Sequence, residues 1–424
     1  MIDILKEWNP WWERKELINE LEGKSRPLYE DLVNSIDIKE ITIITGVRRS
    51  GKSTLMYQII GNLLKKVDPK QILLINLEDK KLTQSSLEEI YNYYRENLNP
   101  NKKAYIFLDE IHRKKDWESW IRKKYDLKSN DKFVISGSCS YLLRKEYSTL
   151  LTGRNLTFEI FPLSFREYLL FCDVFVNKKI ILDKTKHKII NYLKEYINLG
   201  GFPEIFFKDE KYKIKLLEQY FDDILYKDIV DRYNLNNQKA KDLALFLITN
   251  FTSTISLRNI RNSLGISYDT IKDYISYYKE AFLFFTIDHF SYSFKEQKTL
   301  ASKIYCVDNG LRNAVSFKFS KDEGKLVENI VFIELKRANK DVYYWKDKNE
   351  VDFVIKNNDE SITGINVSYT DEIDERETKG LLEFKKKFNK IKELILITKD
   401  LEKKENGIKF IPLWKWLLNG KPFN

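Results

Sequence analysis

The sequence predicts an α/β protein with a parallel-sheet core near its start, a helical stretch in its middle and a second α/β unit at its end. Three observations carry this. Between residues 40 and 164, the short β-branched runs EITIITG, QILLINLED, AYIFLDEI and KFVISGS alternate with helical patterns. Short apolar strands separated by amphipathic helices mean a parallel sheet covered on both faces. The first of these runs leads through GVRRSGKS, Gly46 to Ser53, into the amphipathic helix STLMYQIIGNLLKK, a strand–loop–helix unit. After residue 324 a helix is followed by the strands VYYWKD, VDFVIK and ITGINVSY, the helix GLLEFKKKF and the strand ELILIT.

The elements follow in order. Residues 1–39 hold WNPWWERKELINELEG, in which Trp8, Trp11 and Trp12 surround Pro10. Large apolar rings around a proline predict an extended docking arm laid on another surface. Residues 40–164 are the sheet core. Residues 165–240 are helical (FREYLLF, KIINYLKEYINL, LLEQYFDDILYKDIVDRY), broken at GGFP, Gly200 to Pro203, which reads as a turn or hinge. Residues 241–312 give three helices, DLALFLITNF, SLRNIRNSLG and SYDTIKDYISYYKEA, then strands FLFFTIDHF and KIYCVDN flanking a polar tip with Lys295 and Lys298.

Two helices joined by a short turn at Gly265 and followed by a hairpin are the pattern of a winged helix. The second of those helices could enter a major groove, with Lys272, Tyr268 and Tyr274 near phosphates or bases and Lys295 and Lys298 on the wing. Asp269, Asp273 and Glu280 offset Lys272 and Lys279, so protein packing is an equal reading of this module. Residues 313–424 form the last unit.

Composition narrows the classes. The 424 residues include 73 Lys+Arg against 63 Asp+Glu, a net charge of +10, which is compatible with a polyanionic partner. Cys139, Cys172 and Cys306 are far apart, and so are the three histidines, which argues against a zinc site or a disulfide framework. No apolar run approaches the ~18 residues of a membrane helix. The start MIDILKEWNP lacks a secretory apolar stretch, so a cytoplasmic location without membrane contact is expected.

The chemistry centres on the loop. Gly46 and Gly51 let the backbone curl, so that the N–H groups of Gly46, Val47, Arg48, Arg49, Ser50, Gly51, Lys52, Ser53 and Thr54 surround a phosphate at a helix N-terminus. Lys52 would reach the β- and γ-phosphates of a nucleotide, and the Ser53 hydroxyl would sit on Mg²⁺. In AYIFLDEIH the buried strand ends in Asp109, suited to hold Mg²⁺, and Glu110, suited to polarise an attacking water. KFVISGSCS places Ser136 and Ser138 at the end of another strand, as γ-phosphate sensors or as an ordinary helix cap. Arg144 and Arg154 follow. Either is an arginine-finger candidate or a plain surface arginine.

Together GVRRSGKST, YIFLDEIH, ISGSCSYLLRKEYSTLLTGR, FPLSFREYL, GGFPE and KIYCVDNGL resemble the prokaryotic, largely archaeal, AAA+-type P-loop ATPases joined to a DUF4143 region. The resemblance covers roughly residues 8 to 370. It implies a P-loop NTPase core, a helical lid, a winged-helix module and a C-terminal α/β restriction-nuclease-like domain. It also implies ATP and Mg²⁺ as ligands, catalysis by Lys52, Glu110, Ser136 and Arg154, and metal binding by Ser53 and Asp109.

Nuclease chemistry of that last kind would further need Glu328, Asp352 and a Glu-x-Lys on the next strand. Here GINVSY offers Asn366, Val367 and Ser368 instead, so the domain reads as degenerate, with Lys356 the one conceivable substitute lysine. The function expected is an ATPase coupling nucleotide state to DNA binding or remodelling, with duplex or branched DNA and further copies of the chain as its partners. The alternative is a regulatory nucleotide switch with protein partners, and the third reading is an ATP-gated nuclease.

Overall fold

The computed structural model describes residues 1–127, 129–143, 151, 153–174, 183–316, 322–370 and 372–419. The chain divides into two compact units, residues 1–160 with 280–282, and residues 161–279 with 283–424.

The first unit is built on a five-stranded sheet. Its strands are β1 (Ile41–Thr45), β2 (Ile72–Asn76), β3 (Tyr105–Asp109), β4 (Lys132–Gly137) and β5 (Asn155–Glu159), in the order β2-β3-β4-β1-β5. Every pairing is parallel. All five residues of β1 are buried, as a central strand under helices on both faces requires. Helices α3 (Lys52–Leu64), α4 (Leu87–Asn97) and α5 (Trp117–Asp126) supply those covers. Leu55, Met56, Ile59 and Ile60 of α3 pack with Ile44, Leu74, Phe107 and Val134. Ile90 and Tyr94 of α4 and Trp117 and Ile121 of α5 join Ile43, Ile106 and Ile135.

The N-terminal arm docks on this sheet, but it is not extended. It forms helix α1 (Ile2–Trp8), 3₁₀ turns at Pro10–Trp12 and Lys15–Glu20, and helix α2 (Tyr29–Asn34). Pro10 opens the first turn, where its fixed φ suits a helix start and its missing N–H costs nothing. The arm covers the open edge of β2. The Asn9 Nδ2 donates to the Leu74 carbonyl at 2.8 Å, and the Leu74 N–H donates to the Asn9 Oδ1 at 2.6 Å. One side-chain amide thus satisfies the strand as a neighbouring strand would, which removes a sticky edge. Trp12 Nε1 donates to the Ile72 carbonyl at 2.8 Å, and Trp11 is fully buried.

The second unit begins with helices α6 (Phe165–Phe171), α7 (Asp183–Leu199) and α8 (Glu210–Asp223). GGFP is a turn here, locked rather than free to hinge. Asp308 accepts from the Gly201 N–H at 2.7 Å and from the Gly310 N–H at 2.8 Å, so GGFP and VDNG close on each other. Gly200 has φ +72°, and a Cβ there would lie 1.9 Å from Asp308 Oδ1, so only glycine fits. Burial pushes the Asp308 carboxyl up to about 6 despite these donors.

Next come α9 (Asn237–Thr249), α10 (Leu257–Leu264) and α11 (Tyr268–Glu280), with Gly265 in the left-handed conformation between the last two. The antiparallel strands β6 (Phe284–Ile287) and β7 (Lys303–Cys306) follow. Their connection, the polar tip of the sequence, contains helix α12 (Phe294–Thr299), which includes Lys295 and Lys298. The Ser293 hydroxyl accepts from the Glu296 N–H and starts it. Tyr274, expected near phosphates, is buried in the core, whereas Tyr268 and Lys272 are exposed.

After α13 (Asn309–Val315) and α14 (Glu323–Arg337), a six-stranded mixed sheet has the order β12-β13-β11-β10-β9-β8. Its strands are β8 (Val342–Lys346), β9 (Glu350–Lys356), β10 (Ile362–Ser368), β11 (Ile391–Thr398), β12 (Lys403–Glu405) and β13 (Ile408–Pro412). Helix α15 (Glu375–Lys387) lays Leu381 and Phe384 against Trp345, Val354 and Leu394, and α16 (Leu413–Asn419) closes the described chain.

Candidate functional site

The loop between β1 and α3 emerges at the carboxyl edge of the first sheet. Gly46 has φ +149°, and a Cβ there would strike the Ile160 carbonyl at 2.0 Å, while Gly51 has φ +96° at the N-terminus of α3. Both positions need glycine, and together they turn the chain so that the first turn of α3 faces the loop. Lys52 is buried, and its ammonium donates to the Gly46 and Val47 carbonyls at 3.1 Å each. Val47 is buried and Thr54 half-buried, and Arg49 has φ +68°. Arg26, from the N-terminal arm, donates to the Ser50 carbonyl at 3.0 Å and ties the arm to the loop.

Strand order explains how the carboxylates arrive. β4 lies between β1 and β3, so Ser136 stands between the loop and Asp109. Ser53 Oγ donates to Asp109 Oδ2 at 2.7 Å, and Ser136 Oγ donates to Asp109 Oδ1. The Glu110 N–H donates to Ser136 Oγ at 3.2 Å. Ser136 therefore positions the acidic pair directly.

Glu110 sits at φ +54°, a left-handed conformation that costs a non-glycine residue about 1 kcal/mol or more. That turn aims its carboxylate back toward the loop. Oε1 lies 4.0 Å from the Lys52 ammonium, and Oε2 accepts from the Ser138 N–H at 3.2 Å with His112 Nδ1 at 3.3 Å. Arg48 pairs with Glu78 at 2.7 Å, and Arg113 pairs with the same carboxylate at 2.9 Å. Burial pushes the Glu78 carboxyl up, but the two guanidinium groups outweigh it and hold it at about 2.

These groups fit a nucleotide with Mg²⁺. A helix N-terminus, a buried ammonium, and a hydroxyl beside a carboxylate are the donor set such a ligand needs. The Ser50 and Ser138 hydroxyls are also buried with no hydrogen-bond partner among the described residues.

Arg154 is not brought to this site. It precedes β5, whose first residue pairs with Ile41, so it lies at the amino edge, about 20 Å of strand away from the loop. There its Nε donates to Asp126 Oδ1 at 2.9 Å. Arg144 lies outside the described residues.

Arg26, Thr45, Glu78 and His112 were not singled out from the sequence. Thr45 Oγ1 donates to the Gly137 and Cys139 carbonyls and fastens the ends of β1 and β4. Glu78 had a signal, as the first acidic residue after a buried strand, and so did His112, beside the acidic pair. Arg26 had none.

A second cluster lies in the C-terminal sheet. Glu328 and Asp352 meet as expected, but the lysine beside them is not Lys356. That residue is exposed at the far end of β9, about 13 Å along the strand from Asp352. The cation is Lys303 of β7, with Nζ 3.2 Å from Glu328, 2.5 Å from Glu350 and 3.4 Å from Asp352. Tyr305 OH donates to Glu328 at 2.8 Å. Burial drives the Glu328 carboxyl up to about 7, with Lys303 opposing and Asp352 reinforcing the shift. Asn366 fills the expected carboxylate position and joins strands instead, accepting from the Asp352 N–H and donating to the Glu350 carbonyl.

The phosphate-type loop, the acidic pair and the all-parallel order define the first unit as a P-loop NTPase domain of the AAA class. An AAA domain model matches residues 38–169, a domain of unknown function, DUF8612, matches 190–322, and another, DUF4143, matches 323–416. An uncharacterized protein of Methanocaldococcus jannaschii, MJ1544, is 35% identical over 421 residues, covering 94% of this chain and 93% of that protein. An uncharacterized protein of Haemophilus influenzae is 31% identical over 400 residues, covering 92% of this chain and 97% of its own. The chain belongs to this family of AAA-type P-loop proteins with a C-terminal DUF4143 domain.

Among solved structures, Aeropyrum pernix ORC1 in complex with DNA aligns at a TM-score of 0.33 and 10% identity, over 68% of this chain and 90% of that one. AMPPCP-bound DnaA from Aquifex aeolicus aligns at 0.28 and 11%, over 59% of this chain and 86% of its own. The family assignment rests on the sequence matches alone. No helix among the described residues is long and apolar enough to cross a membrane.

Proposed function

We propose that the chain hydrolyses ATP and uses its nucleotide state to switch its grip on DNA. The observation that supports this best is the convergence of Lys52, Ser53, Asp109 and Glu110 at one sheet edge, with Ser53 Oγ 2.7 Å from Asp109 and Glu110 4.0 Å from Lys52. Lys52 would leave the loop carbonyls for the β- and γ-phosphates and absorb charge as the γ-phosphoryl transfers. Ser53 and Asp109 would hold Mg²⁺, which when bound neutralises the phosphate oxygens. Glu110, aimed by its backbone turn and by Ser138, would orient the water for in-line attack. Ser136 keeps Asp109 and Glu110 in register.

Arg154, at the amino edge, is too far to serve its own loop. As an arginine finger it would act on the site of an adjoining protomer in a homo-oligomer. The DNA-facing part is the second unit. Its helices α10 and α11 and its β6–β7 hairpin have the order of a winged helix, and the chain carries +10. Cleavage is not part of this reading, because Lys303 already supplies the positive charge that Glu328 and Asp352 share.

The test is ATP hydrolysis with and without duplex, branched and single-stranded DNA, with Lys52→Ala as the blank. Stimulation by one DNA form supports the coupling. Hydrolysis that ignores every DNA, together with no salt-sensitive binding, moves the role to a protein-partnered switch.

A further inference from the structure

The second unit contains a cleft of about 880 Å³ that none of the chemistry above uses. It is bounded by the start of α10, the outer face of α11, the β6–β7 hairpin, the end of α14 and the start of β8. This volume falls among ordinary ligand clefts, ~300–1,000 Å³.

Its lining has a definite chemistry. Lys272 and Lys279 come from α11, Lys336 from the end of α14 and Lys340 from the turn that follows it. Asp288 and Asp341 are the acidic groups facing them, and Asp288 already accepts the Ser302 hydroxyl at 2.7 Å. Lys272 and Lys336 have no ion pair among the described residues, in contrast to Lys303, which has three. Uncompensated ammonium groups from two elements lining one cleft are an electrostatic site for a chain of phosphates. The half-buried rings of Phe285 and Tyr343 line the same cleft. A cationic groove with aromatic rings in it is how single strands are gripped without sequence readout, phosphates on lysine and bases on rings.

We propose that this cleft binds a single-stranded nucleic acid segment, with Lys272 and Lys336 on its phosphates and Phe285 or Tyr343 under a base. The proposal rests on the nucleic-acid reading above and locates it. An acidic peptide would satisfy the lysines but offers no base to lie against the edge of the ring cluster that Phe285 forms with Phe161 and Phe332 and Tyr343 forms with Phe290.

The test is fluorescence anisotropy of a labelled oligothymidylate with the full chain, titrated across salt. Lys272→Gln with Lys336→Gln should weaken binding about tenfold and lower the salt slope by about 1.4, since each phosphate contact on a single strand contributes about 0.7. Lys272→Arg with Lys336→Arg should restore both, and an unchanged unfolding midpoint shows that the Gln variants are folded. Lys385→Gln with Lys386→Gln, exposed on α15, should bind like the parent chain.

Parent-like binding by the Lys272/Lys336 Gln variant overturns the cleft while leaving the nucleic-acid reading in place. Absence of oligothymidylate binding in the parent overturns the cleft as well, and DNA-stimulated ATP hydrolysis then decides the broader reading separately. Polyglutamate that competes fully with the oligonucleotide at equal charge overturns it in favour of a peptide groove.

Discussion

At the scale of single residues, the acidic pair divides its labour by geometry. Asp109 is tied on both oxygens, to Ser53 and Ser136, whereas Glu110 faces the loop on a left-handed turn. Glu110→Gln should therefore leave ATP binding within a few-fold of the parent and lower turnover at least ~100-fold. Filter binding and phosphate release measured side by side check this, and parent-like turnover would remove the assigned role. Lys303 makes a second residue-scale case. Lys303→Met leaves Glu328, Glu350 and Asp352 together without their cation. Breaking a buried ion pair from one side costs about 3–5 kcal/mol. Urea unfolding should show that loss in the second unit. Pairing Lys303→Met with Glu328→Gln should recover part of it.

At the scale of elements, legibility followed burial. β1 to β4 were plain because strands buried on both faces read as unbroken apolar runs. β5 was missed because NLTFE is a half-exposed edge strand with polar residues between apolar ones. β12 and β13 were missed although Asn406 and Gly407, with φ +52° and +83°, form the Asn-Gly hairpin turn that joins them. The loop and its acidic pair were legible because chemistry constrains residue types at fixed spacing. Lys303 was not, because it reaches Glu328 and Asp352 from a strand whose place depends on tertiary packing.

The arm shows the same limit. Three tryptophans announced docking, but the key contact is Asn9, whose single amide pairs with both backbone groups of Leu74. Asn9→Ala leaves those groups unpaired at a buried edge and should destabilise the first unit by about 1–3 kcal/mol, measured by urea denaturation. An effect below ~0.5 kcal/mol would mean that the edge is satisfied some other way.

At the scale of the whole molecule, the second unit carries several carboxyls that burial holds above their ordinary range. Glu328 is near 7, and Asp308 and Glu377 are near 6. In the unfolded chain such groups titrate near 4. The folded unit therefore binds protons more tightly than the unfolded chain across that interval. The stability these groups give is complete below about pH 4 and is lost as pH rises through 6 and then 7. Glu78 and Glu350 are held low by their cations, so their contributions are lost only on acidification below about 4.5 and do not oppose the trend. Lys303 is shifted upward and stays charged throughout.

The calorimetric midpoint of the second unit should accordingly fall between pH 5 and pH 8, opposed only by His289, which burial lowers and whose contribution is regained as pH rises through 6.5. That of the first unit, where Glu118 is raised by burial but Glu78, Asp79, Glu88, Glu89 and Asp126 are lowered, should fall less. Glu328→Gln removes the group with the highest value and should flatten the upper half of that slope, between pH 6 and 8. A midpoint that instead rises with pH would mean that the Lys303 cluster holds its carboxylates ionised at no cost, and that the cluster is a net source of stability at neutral pH.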